Sequence, residues 1–181
     1  MFVSLVKVKK YLIYLFLFLF FNCIYIGPIM AADTSYDNIY YDVPTGKAQY
    51  IRGITFNNDG TKMFITGGKV AQFTLSTGFD LSSVTYVRTL SISSNTGGNP
   101  RSLIFSPDGT TMFILDSEEI DEYVLTTGYD LSTAKYADTF AAGTTKAWSI
   151  ALNDDGTKLF TAENNQGRVK QYSLPAAYNL T

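Results

Sequence analysis

The chain has 181 residues, is 46% hydrophobic and 15% aromatic, and carries a net charge of −2, which excludes global disorder and suffices for one packed domain. It has no histidine and a single cysteine, Cys23, so histidine-based triads, histidine metal sites and an internal disulfide are all excluded. Lys7, Lys9 and Lys10 are the only charges before Asp33, and the remainder carries 11 basic and 16 acidic residues, a balance with no electrostatic footprint for nucleic acid or for an anionic membrane surface.

Residues 1–32 read as a secretory signal peptide. The three lysines form a positive n-region, residues 11–27 are almost wholly apolar, Pro28 breaks the helix, and Met30-Ala31-Ala32 offers a small residue for cleavage. The apolar run approaches the ~20 residues that span a bilayer, so a membrane-anchored form with the signal uncleaved is the alternative. Cys23 follows Phe20-Phe21-Asn22, which lacks the small residues of a lipoprotein site, and is read as one more apolar-segment residue. The expected location is secreted, or periplasmic and cell-envelope.

Residues 33–181 are a repeat. Three segments align, beginning at Ile51, Pro100 and Ala147, and Asp59-Gly60, Asp108-Gly109 and Asp155-Gly156 mark the register at intervals of about 49 residues. Each segment opens with a short apolar strand (51–56, 101–105, 148–152). A D-G turn follows, in which Gly takes positive φ and Asp bonds its own backbone. A second strand (62–66, 111–115, 158–162) and a third (70–75, 120–125, 169–174) come next. After a further turn, containing Gly78-Phe79-Asp80-Leu81 and Gly128-Tyr129-Asp130-Leu131, a fourth covers 84–90 and 134–140. No helical apolar period interrupts them. Four short strands per repeat of about 40–50 residues is the sequence signature of a β-propeller blade. Met63-Phe64-Ile65 and Met112-Phe113-Ile114 are apolar on both faces, as blades between neighbours require. The expected fold is therefore all-β, a propeller of three four-stranded blades, with blades at about 51–90, 101–140 and 148–181.

The run Phe56 to Ile65 (FNNDGTKMFI), followed by Phe73 to Ser82 (FTLSTGFDLS), resembles bacterial secreted propellers of the YVTN and lactonase-like group. The resemblance covers 36–181. It implies a propeller and an exported or surface role, and some members of that group open lactone rings. The matching positions are turns and core, so no catalytic residue carries over.

Residues 37–43 align with the fourth strand of a blade, Tyr40 with Tyr86 and Tyr136, while Tyr178 to Thr181 fall in the turn before a fourth strand. The expected order is one spare fourth strand, then two complete blades, then a blade lacking its fourth strand. Three blades do not close a ring. Two outcomes follow: a homodimer closing a six-bladed ring with two-fold symmetry, or a piece of a longer propeller with further blades.

The candidate ligand-binding residues are Arg52, Arg101 and Trp148, at equivalent positions where the first strands begin, with Asp116 and Glu118 in the loop between second and third strands of the middle blade. Arg supplies forked donors and Trp a stacking face, a set suited to an anionic or sugar-like ligand. Structural ion pairing for the arginines and core filling for Trp148 are the competing explanation. Asp59, Asp108 and Asp155 are expected to serve turns rather than calcium, since Ser106-Pro107 interrupts any repeating ligand set. No metal or cofactor is expected. The reading is an exported binding or interaction module for an unknown protein or glycan; a lactonase-like hydrolase and a lectin-like oligomer are the alternatives.

Overall fold

The computed structural model describes residues 35, 37–48, 50–92, 100–116, 118–143 and 146–181. The expected signal segment and Cys23 lie outside the described residues. Eleven strands follow in order: β1 (Gly53–Phe56), β2 (Lys62–Thr66), β3 (Val70–Leu75), β4 (Val84–Leu90), β5 (Ser102–Phe105), β6 (Thr111–Leu115), β7 (Glu119–Leu125), β8 (Ala134–Ala141), β9 (Ala147–Leu152), β10 (Lys158–Glu163) and β11 (Arg168–Ser173). They form three antiparallel meanders, β1-β2-β3-β4, β5-β6-β7-β8 and β9-β10-β11. These are three blades of a partial β-propeller, the third without a fourth strand among the described residues.

The blades are held together face to face. Phe64 and Val70 of the first blade share a core with Leu103, Met112 and Ile114 of the second. Phe113 and Ile120 of the second share another with Ala147, Ile150 and Leu159 of the third. The double-sided apolar strands behave as expected: in Met63-Phe64-Ile65, Phe64 faces the following blade while Met63 and Ile65 face the other way. Burial of such side chains stabilises by about 1.5–3 kcal/mol each.

Each blade is closed on itself by a device at the D-G turn. Gly60, Gly109 and Gly156 have φ of 72°, 72° and 67°. Asp59, Asp108 and Asp155 accept from the N–H groups of Thr61, Thr110 and Thr157 at 2.9, 3.0 and 2.9 Å. These bonds hold the three carboxyls below the ordinary aspartate range: through the Thr61 side chain first at Asp59, Ser106 at Asp108 and Thr157 at Asp155. The rings of Phe79, Tyr129 and Tyr178 lie directly on the three glycines, where a β-carbon would overlap them. Their N–H groups bond the glycine carbonyls at 3.1, 3.0 and 2.9 Å. A single turn of 3-10 helix then leads into the fourth strand, at Leu81–Ser83 and Leu131–Thr133, capped by Asp80 and Asp130.

The strand expected over 37–43 is not formed. A fourth strand takes its ladder from the third strand of its own blade, and nothing among the described residues occupies that place beside 37–43. The segment packs instead on the first blade: Tyr41, Val43 and Ala48 cover Met63, Ile65 and Phe73. The packing also revises the alignment. Leu90 and Ile92 pack on the second blade, and Phe140 and Ala142 on the third, with the spacing of Tyr41 and Val43. Tyr41, not Pro44, therefore stands in the place of Leu90 and Phe140, and Tyr40 does not match Tyr86 and Tyr136.

Candidate functional site: the rim where the inner strands begin

The first strands of the blades, β1, β5 and β9, lie side by side, which brings their starts to one rim. Gly53 allows the approach of the first two: a β-carbon there would come within 2.7 Å of Thr66 Oγ1 and 2.9 Å of the Arg101 carbonyl. Thr66 Oγ1 donates to the Arg101 carbonyl at 3.3 Å. Arg101 Nη1 in turn donates to the Ala147 carbonyl of the third blade at 2.8 Å. The rim is thus stitched from blade to blade by polar bonds.

Two of the expected site residues meet here. The Arg101 guanidinium lies 4.7 Å from the centre of the Trp148 ring, a cation–π contact. Trp148 is not core: its side chain is 45% exposed. Arg101 Nη1 bonds a backbone carbonyl of the neighbouring blade while its plane backs the exposed indole. Arg52 opens the inner strand of the first blade, its N–H bonded to the Thr66 carbonyl at 2.9 Å.

Asp116 and Glu118 sit in the loop between β6 and β7, which their backbones brace. The Asp116 N–H donates to the Glu119 carbonyl at 3.0 Å, and the Glu118 carbonyl accepts from Ala142 N–H at 3.1 Å. Just beyond, Asp121 is fully buried and accepts from the Thr139 hydroxyl. Burial, together with Glu119 and Asp116 nearby, pushes its carboxyl above the ordinary aspartate range, against the opposing Thr139 bond. Sequence reading missed Asp121, because its equivalents are Ala71 and Lys170 and no repeat pattern marks it. Among the described residues no cluster of three or more Asp, Glu, Cys or His side chains is placed to hold a metal ion, and no helix is long and apolar enough to cross a membrane.

Among the described residues, hollows border the inner strands and their loops, two of which are of note. One of about 180 Å³ is lined by Gly46, Ala48, Gly67, Gly68 and Lys69. The other, about 330 Å³, lies at the far end of β5 and β9 from Arg101 and Trp148, against Phe105, Pro107, Leu152, Asp154 and Tyr178. The expected site residues and the larger hollow are therefore at opposite ends of the same strands.

Comparison with protein-family models finds no match, and comparison with curated proteins finds none. Solved structures do match. A functionally unknown protein from Desulfotomaculum acetoxidans DSM 771 is 21% identical with a TM-score of 0.55, over 72% of this chain and 41% of that one. A candidate 6-phosphogluconolactonase from Bacteroides fragilis is 18% identical with a TM-score of 0.59, over 77% and 38%. The β-propeller domain of Cps50 (Swd1) from Myceliophteria thermophila is 11% identical with a TM-score of 0.51, over 68% and 40%. The chain has a propeller fold. At these identities the likeness carries the fold alone, and the chain spans about two fifths of the structures it matches.

Proposed function

We propose that this chain is an exported propeller module that binds a ligand through the rim formed by Arg101 and Trp148, and that the ligand is an anionic or sugar-like group. The observation that carries the reading is the half-exposed indole backed by a fixed guanidinium. Trp148 offers a flat apolar face for a sugar ring, and Arg101 offers positive charge beside it. Arg52, at the equivalent position one blade away, and Asp116 and Glu118 in the nearby loop extend the polar surround. The amino-terminal lysines and apolar run support export.

Trp148 is the only tryptophan, so its fluorescence reports on this rim alone. Titration with neutral and anionic oligosaccharides is expected to quench or shift the emission for a subset of them. Glycan binding followed by calorimetry is expected to fall at least ten-fold in both Trp148→Ala and Arg101→Ala. Emission unchanged across the panel, or binding unaffected by both substitutions, overturns the reading. A lactonase-like activity is the second reading, suggested by the name of the Bacteroides fragilis neighbour. Hydrolysis of 6-phosphogluconolactone above the spontaneous rate, lost in Glu118→Gln, would replace binding with catalysis.

A further inference from the structure

The two ends of the blade array are made as the two halves of a blade contact. Each internal contact joins the trailing face of one blade to the leading face of the next. On the trailing side, Val70 and Ile120 are completely buried, and their counterpart in the third blade, Val169, is 71% exposed. On the leading side, Leu103 and Ile150 are buried, and their counterpart in the first blade, Ile54, is 59% exposed. Ile51 repeats the pattern: its counterparts Pro100 and Ala147 are buried, and it is 55% exposed. Apolar residues thus hold interface positions at both ends with no blade interface formed there among the described residues.

A polar bond recurs at the same contact. Gln72 Oε1 accepts from the Leu131 N–H of the next blade at 3.0 Å, and Glu122 Oε2 accepts from the Leu180 N–H at 2.7 Å. The third blade carries Gln171 at this position and the first carries Leu81, an acceptor and a donor of the same pair held at opposite ends. The outer edge repeats the logic. Val70 pairs with Leu90 and Ile120 with Phe140, whereas among the described residues β11 is paired only with β10. Tyr41 occupies the place of Leu90 and Phe140: its ring lies 5.6 Å from Phe73, as Phe140 lies 5.2 Å from Tyr172.

We propose that the trailing face of the third blade binds the leading face of the first blade of a second copy of this chain. Gln171 takes that copy's Leu81 N–H, and its segment 37–43 becomes the missing fourth strand along β11, with Tyr41 opposite Val169. An open strand edge favours such an addition. The contact is head-to-tail, and two copies related by two-fold symmetry satisfy both ends of each in a six-bladed ring. This assembly is independent of ligand binding at Trp148, and its failure leaves that reading untouched.

Light scattering on the full-length chain at micromolar concentration is expected to give the mass of two copies. Val169→Glu and Ile54→Glu, both at exposed positions, are expected to weaken association at least ten-fold while leaving the circular-dichroism melting curve of the dissociated chain in place. Mixing the two variants is expected to restore pairing, because one intact contact remains between the good trailing face of one and the good leading face of the other. A monomer at micromolar concentration overturns the proposal. So does association indifferent to both substitutions, as the apolar residues 11–27 would produce, and so does failure of the mixture to pair, which marks a back-to-back contact.

Discussion

At the scale of single residues, the turn glycines carry the most constraint. Gly109 has a φ of 72° and is covered by the Tyr129 ring; Tyr129 itself is held at a φ of 58°, a conformation non-glycine residues rarely adopt. The Tyr129 hydroxyl donates to the Pro107 carbonyl at 2.9 Å, which fixes the ring over the turn. Gly109→Val combines strain of about 1–3 kcal/mol with loss of that ring's seat. An unfolding midpoint lowered by several degrees in thermal melts is the expected result. The D-G turns and the positive φ were legible because the dipeptide recurs in all three repeats. The ring above each glycine was not, because Phe79, Tyr129 and Tyr178 sit 19, 20 and 22 residues further on and only the folded blade brings them back.

Between elements, the contacts that align the blades run through the middle of the third strands. Gln72 and Glu122 are both buried and both accept an N–H from the next blade's turn. Burial pushes the Glu122 carboxyl above the ordinary glutamate range, aided by Asp138 and opposed by the Leu180 N–H. A raised pKa in the folded chain means that the folded state holds the proton more tightly. The cost of ionisation is therefore absent at pH values below the ordinary range and grows as the pH rises through the raised value. Glu122→Gln keeps the acceptor and removes the charge, as Gln72 does in the preceding blade. It is expected to stabilise at pH 7 by no more than about 1 kcal/mol after solvent screening, and the gain is expected to vanish near pH 3 in denaturant titrations. A gain equal at both pH values would show that Glu122 is not buried as a carboxylate. Strand order and bounds were legible from the repeat to within a residue or two. The register of 37–43 was not, since tyrosine matched tyrosine in the alignment whereas packing matched Tyr41 with Leu90 and Phe140. Arg101 and Trp148 were legible as equivalent positions on neighbouring blades, but their mutual stacking is a property of the rim.

For the whole molecule, the account rests on a repeat whose described blades are complete inside and whose outer faces meet no further blade among the described residues. Hydrogen exchange on the backbone amides tests that most directly. The Leu174 N–H bonds the Thr157 carbonyl, so by the alternation of an antiparallel ladder the Val169, Gln171 and Ser173 N–H groups point away from β10. In β3 and β7 the corresponding groups face β4 and β8. At the lowest concentrations, amides along the whole of β3 and β7 are expected to be protected, whereas Val169, Gln171 and Ser173 exchange quickly. Raising the concentration is expected to slow those three together with 37–43. Uniform protection of β11 at every concentration would mean that the chain supplies its own fourth strand, and rapid exchange in β3 and β7 would mean that the blades are not formed.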